Sequence, residues 1–157
     1  MTYSGMFIKE ENTVMLSLIK VVKNDEHAVI LYGLLKQRRH TISHKSLPTF
    51  EEHKQFVLAH PYRVWYLIKA DDAYIGSIYA YKNNGIGISL SYGREAYIRP
   101  TIELFLKHNK PLKPIKSVRS AEFGVYSAPT DKRLIATLKS MGAHFAQVTY
   151  LFDNEAS

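Results

Sequence analysis

The chain has 157 residues, 22% of them charged, and a formal net charge of +7. It contains no cysteine, which excludes disulfides, thiol nucleophiles and cysteine-ligated zinc or iron–sulfur sites. No repeat, no low-complexity segment, no membrane-length apolar run and no signal-peptide pattern in MTYSGMFIKEENT is visible, so one soluble, cytoplasmic domain over 1–157 is expected.

In chain order, VMLSLIKVV (14–22) is rich in β-branched and aliphatic residues and reads as a first strand. Asn24 or Asp25 can cap a helix over about 25–37, whose Ala28, Leu31, Leu34 and Leu35 fall on one face. The polar stretch RRHTISHKSLP (38–48) is a loop. Thr49 followed by Glu52 has the spacing of a capping box, so a second helix starts there and ends before Pro61. YRVWYLIK (62–69) and AYIGSIYAYK (73–82) are strands joined at Asp71-Asp72, and Asn83-Asn84-Gly85 turns the chain into a further strand over 86–92.

A third helix is expected over about 95–108, with its regular part beginning at Pro100, because proline suits a first helical turn and disfavours helix in the residue before it. Pro111 and Pro114 sit in a basic connector. A strand at 121–127, a helix at 131–141 ended by Gly142 and a last strand, HFAQVTYLF (144–152), complete the order β-α-α-β-β-β-α-β-α-β. That order predicts an α/β (α+β) fold with a mixed, mostly antiparallel sheet flanked by helices.

The charge is uneven. Residues 94–139 carry 10 basic and 4 acidic groups, the excess falling in and around the connector. Such a field suits an anionic ligand, a phosphorylated cofactor or a nucleic acid, although a solvated basic linker is the simpler reading of the connector. The seven histidines show no ligand spacing, His40 and His44 lying in a loop, so no metal site is expected. The stretch GIGISLSYGREAYIRPTIELFLKH (85–108) runs a strand into a helix N-terminus, a place where backbone N–H groups can meet a phosphate.

RRHTISHKSLPTFEEHKQF, YRVWYLIKADDAYIGSIYAYKNNGIGISL and TLKSMGAHFAQVTYLF, in this order, resemble the GNAT superfamily of N-acetyltransferases. The resemblance covers nearly the whole chain and implies direct transfer of an acyl group from acetyl-CoA or another acyl-CoA to a small-molecule amine. It implies that the strands at 86–92 and 121–127 part at a bulge near Ile88-Ser89-Leu90. The pantetheine arm would insert there and bond the backbone of Ser89 and Leu90.

The family's pyrophosphate turn, Arg/Gln-x-x-Gly-x-Gly/Ala, aligns with Arg94-Glu95-Ala96-Tyr97-Ile98-Arg99. Tyr97 and Arg99 stand where glycines are usual, and Glu95 adds a negative charge. The Asn-x-x-Ser signature aligns with Asp131 to Leu134, and the family's frequent general-acid tyrosine with Leu138.

The cofactor set implied is Ile88, Ser89, Leu90, Arg94, Tyr97, Arg99 and Asp131. The loop His40–Pro48 would close over the acceptor, offering Ser43, His44 and Ser46, with Tyr66 as an aromatic contact. Glu122, Tyr126 and His44 are the candidates for proton transfer. The departures from both signatures keep two alternatives in play: a DNA-base-modifying enzyme like the Mom proteins of phages, and a non-catalytic binding protein. A homodimer is compatible with each reading.

Overall fold

A computed structural model describes residues 1–37 and 46–154. Six strands form one mixed sheet in the order β1-β2-β3-β4-β5-β6: β1 Thr2–Lys9, β2 Asn12–Lys20, β3 Val64–Ala70, β4 Ala73–Ala80, β5 Gly85–Leu90 and β6 Gly124–Val125. Every pairing is antiparallel except β5 with β6. Among the described residues the α-helices are α1 Asp25–Lys36, α2 Phe50–Leu58, α3 Ile98–His108 and α4 Lys132–Ser140.

The alternation of β3 divides the core between two faces of the sheet. Trp65 and Leu67 point to the face covered by α1 and α2, where they meet Ala28, Leu31 and Val57. Tyr66 and Ile68 point to the other face, toward Phe105 of α3 together with Leu16, Leu18 and Ile78. Phe105 is fully buried, and a side chain of that size gains about 2–3 kcal/mol from leaving water. A third cluster, Ile98, Ile102 and Leu134, joins α4 to α3.

The expected caps of the first two helices form as read. The Asn24 side chain accepts from the His27 N–H, and Thr49 and Glu52 make both bonds of the capping box. Gly142 ends α4 with φ 90°.

Four expectations are corrected. The N-terminal residues form an additional strand, β1, whose hairpin turn is Glu10-Glu11 with φ 51° and 67°. Two glutamates in left-handed geometry carry none of the usual Asn-Gly signal, so the hairpin was hidden. The third helix begins at Ile98, after a 3-10 turn over Glu95–Tyr97, so Arg99 is helical rather than extended ahead of Pro100. The strand expected over 121–127 pairs at Gly124 and Val125 alone. Residues 144–152 form no strand among the described residues, although their composition favours one.

The bulge is also displaced. The register of β4 with β5 runs unbroken from Gly76↔Leu90 to Ala80↔Ile86, and the irregularity falls instead between β3 and β4, at Ile68/Lys69. β5 and β6 separate simply because β6 stops. Asn84 anchors the point of separation: its buried side chain donates to the carbonyls of Leu112 and Ser120, both at 2.9 Å, and accepts from the Leu112 N–H at 2.8 Å. These bonds hold the proline-rich connector against the β4–β5 turn and deliver the chain to β6.

Candidate functional site

The far half of β5 has one occupied flank and one open flank. Tyr81 N–H donates to Gly85 O and Ser91 N–H to Ile75 O, each at 2.8 Å, so the backbone groups of residues 85, 87, 89 and 91 face β4. Those of Ile86, Ile88 and Leu90 face the other way. Ile86 is used, since its carbonyl accepts from Tyr126 N–H at 2.9 Å. Ile88 and Leu90 have no backbone partner on that flank among the described residues. Of the two residues expected to offer backbone groups to an arm, Ser89 faces β4, whereas Leu90, like Ile88, faces the open flank.

A cavity of roughly 310 Å³ opens on this flank, lined by residues 88–92, Glu95, Ile98 and the segment 130–134. A type II-like turn leads into it, with Arg94 N–H donating to Ser91 O at 3.1 Å and Gly93 at φ 81°. The 3-10 turn and α3 both begin without a side-chain cap. The N–H groups of Glu95 and Ala96 have no partner among the described residues, which is the donor pattern an anion uses. At α4 the opposite holds, because Asp131 Oδ1 accepts from the Leu134 N–H at 3.2 Å. The cavity's charges are balanced: Glu95 and Asp131 against Lys132 and Arg133.

A second cavity, roughly 150 Å³, lies on the α1–α2 face. Its walls include Phe56, Tyr62, Trp65 and Tyr79, with Tyr62 and Tyr79 stacked at 3.9 Å and Tyr62 edge-on to Trp65 at 4.9 Å. Burial and the neighbouring Tyr79 and Tyr81 push the Tyr62 phenol well above its ordinary value, so it stays protonated. Gly76 lines it, and a Cβ there would strike the carbonyl oxygen of Ser89; the Tyr79 ring lies over Gly87, where a Cβ would strike it. Trp65 Nε1 and Ser91 Oγ are buried polar atoms without a hydrogen-bond partner, and both residues line this cavity. Glu52 is its one carboxylate among the described residues.

The two cavities share a rim. Ser89, Leu90 and Ser91 line both. A molecule held along the open flank of β5 would thus meet a molecule held by the aromatic walls across the end of that strand and the residue after it.

The residues singled out from sequence are only partly brought together. Ile88, Ser89, Leu90 and Asp131 line the polar cavity. Arg94 stands beside it, its guanidinium 5.8 Å from the Tyr97 ring. Tyr97 is buried, edge-on to Phe7 at 5.1 Å, and Arg99 pairs with Glu103 at 2.9 Å and Ser140 at 3.3 Å, so neither large side chain fills the cavity.

Tyr66 lies on the opposite face of the sheet from the aromatic cavity and donates to Asn109 Oδ1 at 3.0 Å. Glu122 is exposed, and the Tyr126 hydroxyl accepts from Asn83 Nδ2 at 2.9 Å; neither lines either of these two cavities. Ser46 is exposed outside both. Ser43 and His44 lie outside the described residues. In the connector, Arg119 donates to the carbonyls of Lys113 at 2.8 Å and Lys82 at 3.1 Å, a structural use of its charge, while the connector lysines are exposed.

Sequence reading missed Ser91, Glu52, Tyr62, Trp65 and Tyr79 as a cavity wall. The alternation of 62–69 and 73–82 put Trp65 and Tyr79 on meander strands. Only the placement of α1 and α2 shows that this face is incompletely filled.

No protein-family model matches the chain, and no curated protein matches it. Among solved structures, the crystal structure of a possible acetyltransferase from Clostridium difficile 630 is similar, with TM-score 0.51 and 12% identity over 88% of this chain and 97% of that one. The fold is GNAT-like. At that identity the likeness concerns architecture, and the GNAT-like order accounts for a meander carrying an open-flanked strand into α3. Among the described residues no helix is long and apolar enough to cross a membrane, and no cluster of three or more potential metal ligands occurs.

Proposed function

We propose that the chain is an N-acyltransferase that uses an acyl-CoA donor and an amine acceptor with an aromatic or apolar body. The observation that carries the reading is the shared rim at Ser89–Ser91 between a strand-edge cavity and an aromatic cavity. The fit of the donor rests on the unpaired backbone of Ile88 and Leu90, which suits an extended, amide-bearing arm, and on the uncapped N–H groups of Glu95 and Ala96. Acyl-CoA, when bound, supplies the thioester.

Lys132 and Arg133 offset the two carboxylates and offer side-chain contacts to phosphate in place of a glycine cradle. On the acceptor side, Tyr62, Trp65 and Tyr79 exclude water and present ring faces to a cationic amine before it loses its proton. Trp65 Nε1 and Ser91 Oγ orient a polar group of the substrate. Glu52 takes the proton of the amine.

The test is calorimetric titration with acetyl-CoA followed by an acetyl-transfer assay on phenethylamine, tryptamine and spermidine. Binding with faster turnover of the aromatic amines supports the reading; absence of heat at millimolar acetyl-CoA overturns it. A second reading, a GNAT-fold binding protein without catalysis, is favoured by one feature: Glu95 and Asp131 stand in the cavity where phosphates would lie. It predicts no acetyl-CoA binding and retention of the aromatic ligands alone.

A further inference from the structure

Two features outside the cavities complement each other. The first is the end of α4. Gly142 N–H donates to Lys139 O and Ala143 N–H to Leu138 O, both at 3.0 Å, and Gly142 has φ 90°. This is a Schellman cap, which fixes the direction in which the chain leaves the helix. Beyond it, HFAQVTYLF has the residue types of a strand, yet residues 144–152 make no backbone hydrogen bond among the described residues. Its apolar side chains are uncovered: Phe145 is 77% exposed, Tyr150 82%, Leu151 79% and Phe152 98%. By strand alternation Val148, Tyr150 and Phe152 share one face, while Phe145 and Leu151 share the other. A segment apolar on both faces is composed for a covered position in a sheet, not for solvent.

The second feature is the outer edge of β6. Gly124 N–H and Tyr126 N–H donate inward, to Asn84 O at 3.0 Å and Ile86 O at 2.9 Å. The N–H and carbonyl of Val125 therefore face outward, at the end of the strand order, with no partner strand among the described residues. Phe123, Val125, Leu138 and Met141 pack on the core from this side and are only half-buried. The edge lacks a strand and the arm lacks an edge. In this arrangement the arm that leaves the capped end of α4 is not paired with its own β6.

We propose that two copies exchange their C-terminal arms, residues 144–152 of each adding as a strand to the β6 edge of the other. The exchange is self-complementary, since each copy offers one arm and one edge, and it closes as a twofold dimer. It extends the sheet beside the strand pair that opens into the polar cavity and covers Leu138 and Met141. The inference is independent of the acyltransfer reading.

The full chain, free of native cysteine, suits cysteine cross-linking. Val125→Cys in one chain is mixed with Gln147→Cys, Val148→Cys or Thr149→Cys in a second, affinity-tagged chain, and the mixtures are oxidised. Alongside, light scattering at micromolar concentration measures the mass of the unmodified chain and of Val148→Pro and Tyr150→Pro, which leave α4 and its cap untouched. Expected are a mass twice 18.0 kDa, inter-chain disulfides from the mixtures, and folded monomers from the proline variants. A monomeric unmodified chain, a dimer that survives both prolines, or no inter-chain disulfide from any of the mixtures would each overturn the exchange.

Discussion

The two flanks of β5 are built from the same six residues and differ in everything that follows. Toward β4 the strand is paired along its whole length, from Ala80↔Ile86 to Gly76↔Leu90. Toward β6 it is paired at Gly85 and Ile86, and then its backbone opens into a cavity. The difference is one of residue parity: odd-numbered residues hold the sheet together and the even-numbered Ile88 and Leu90 are left for something else. A substitution that removes a backbone donor should therefore act on stability at one position and on binding at the next.

Ser89→Pro deletes an N–H that faces β4 and should cost about 3 kcal/mol in a urea titration. Gly76→Ala acts on the same flank, because its Cβ meets the Ser89 carbonyl and the Leu90 backbone, and should cost about 2–3 kcal/mol. Loss of less than half that amount in either would mean that β4 and β5 are not the rigid pair described. Glu52→Gln probes the aromatic side. Glutamine preserves the capping box, so the melting temperature should hold while kcat for an amine falls about 100-fold. Unchanged kcat would remove Glu52 from proton transfer.

Leu90→Pro deletes an N–H on the open flank. It should cost only about 1 kcal/mol of stability but weaken acetyl-CoA about tenfold, the worth of one hydrogen bond lost in a buried setting. If Leu90→Pro and Ser89→Pro destabilise equally, the parity distinction fails. The smallest effect is electrostatic. Burial, and secondarily Lys23, holds the His60 imidazole below its ordinary value of 6.5. A histidine that resists protonation when folded stabilises the fold fully above pH 6.5 and loses that contribution as pH falls from 6.5 through its lowered value. Stability should thus decline slightly across that window, and His60→Gln should flatten the decline.

Much of the fold was legible in the sequence because its signals are local. Thr49 and Glu52 cap α2, Gly142 ends α4, and Asn84 turns the chain between β4 and β5 with φ 69°. The misses are long-range. The hairpin at Glu10-Glu11 is imposed by pairing along β1 and β2, not by turn residues, and the length of β6 depends on where Asn84 fastens the connector.

The site divides in the same way. Ile88, Leu90 and Asp131, singled out by position along the chain, line the polar cavity, but Tyr97 and Arg99 carry side chains that turn toward Phe7 and Glu103 instead. A motif comparison counts those two as losses from a phosphate cradle. In three dimensions they leave the cavity open. Ser91 has no motif, and its significance comes from a buried hydroxyl without a hydrogen-bond partner, on the rim of both cavities.

The central claim is that the open flank of β5 receives an acyl-CoA arm. An amide-resolved NMR titration of the chain with acetyl-CoA tests it residue by residue. The N–H resonances of Ile88, Leu90, Glu95 and Ala96 should shift together and saturably, while that of Gly87, which faces β4, should move little. No shift at millimolar acetyl-CoA, or shifts confined to residues away from 88–96, would contradict it.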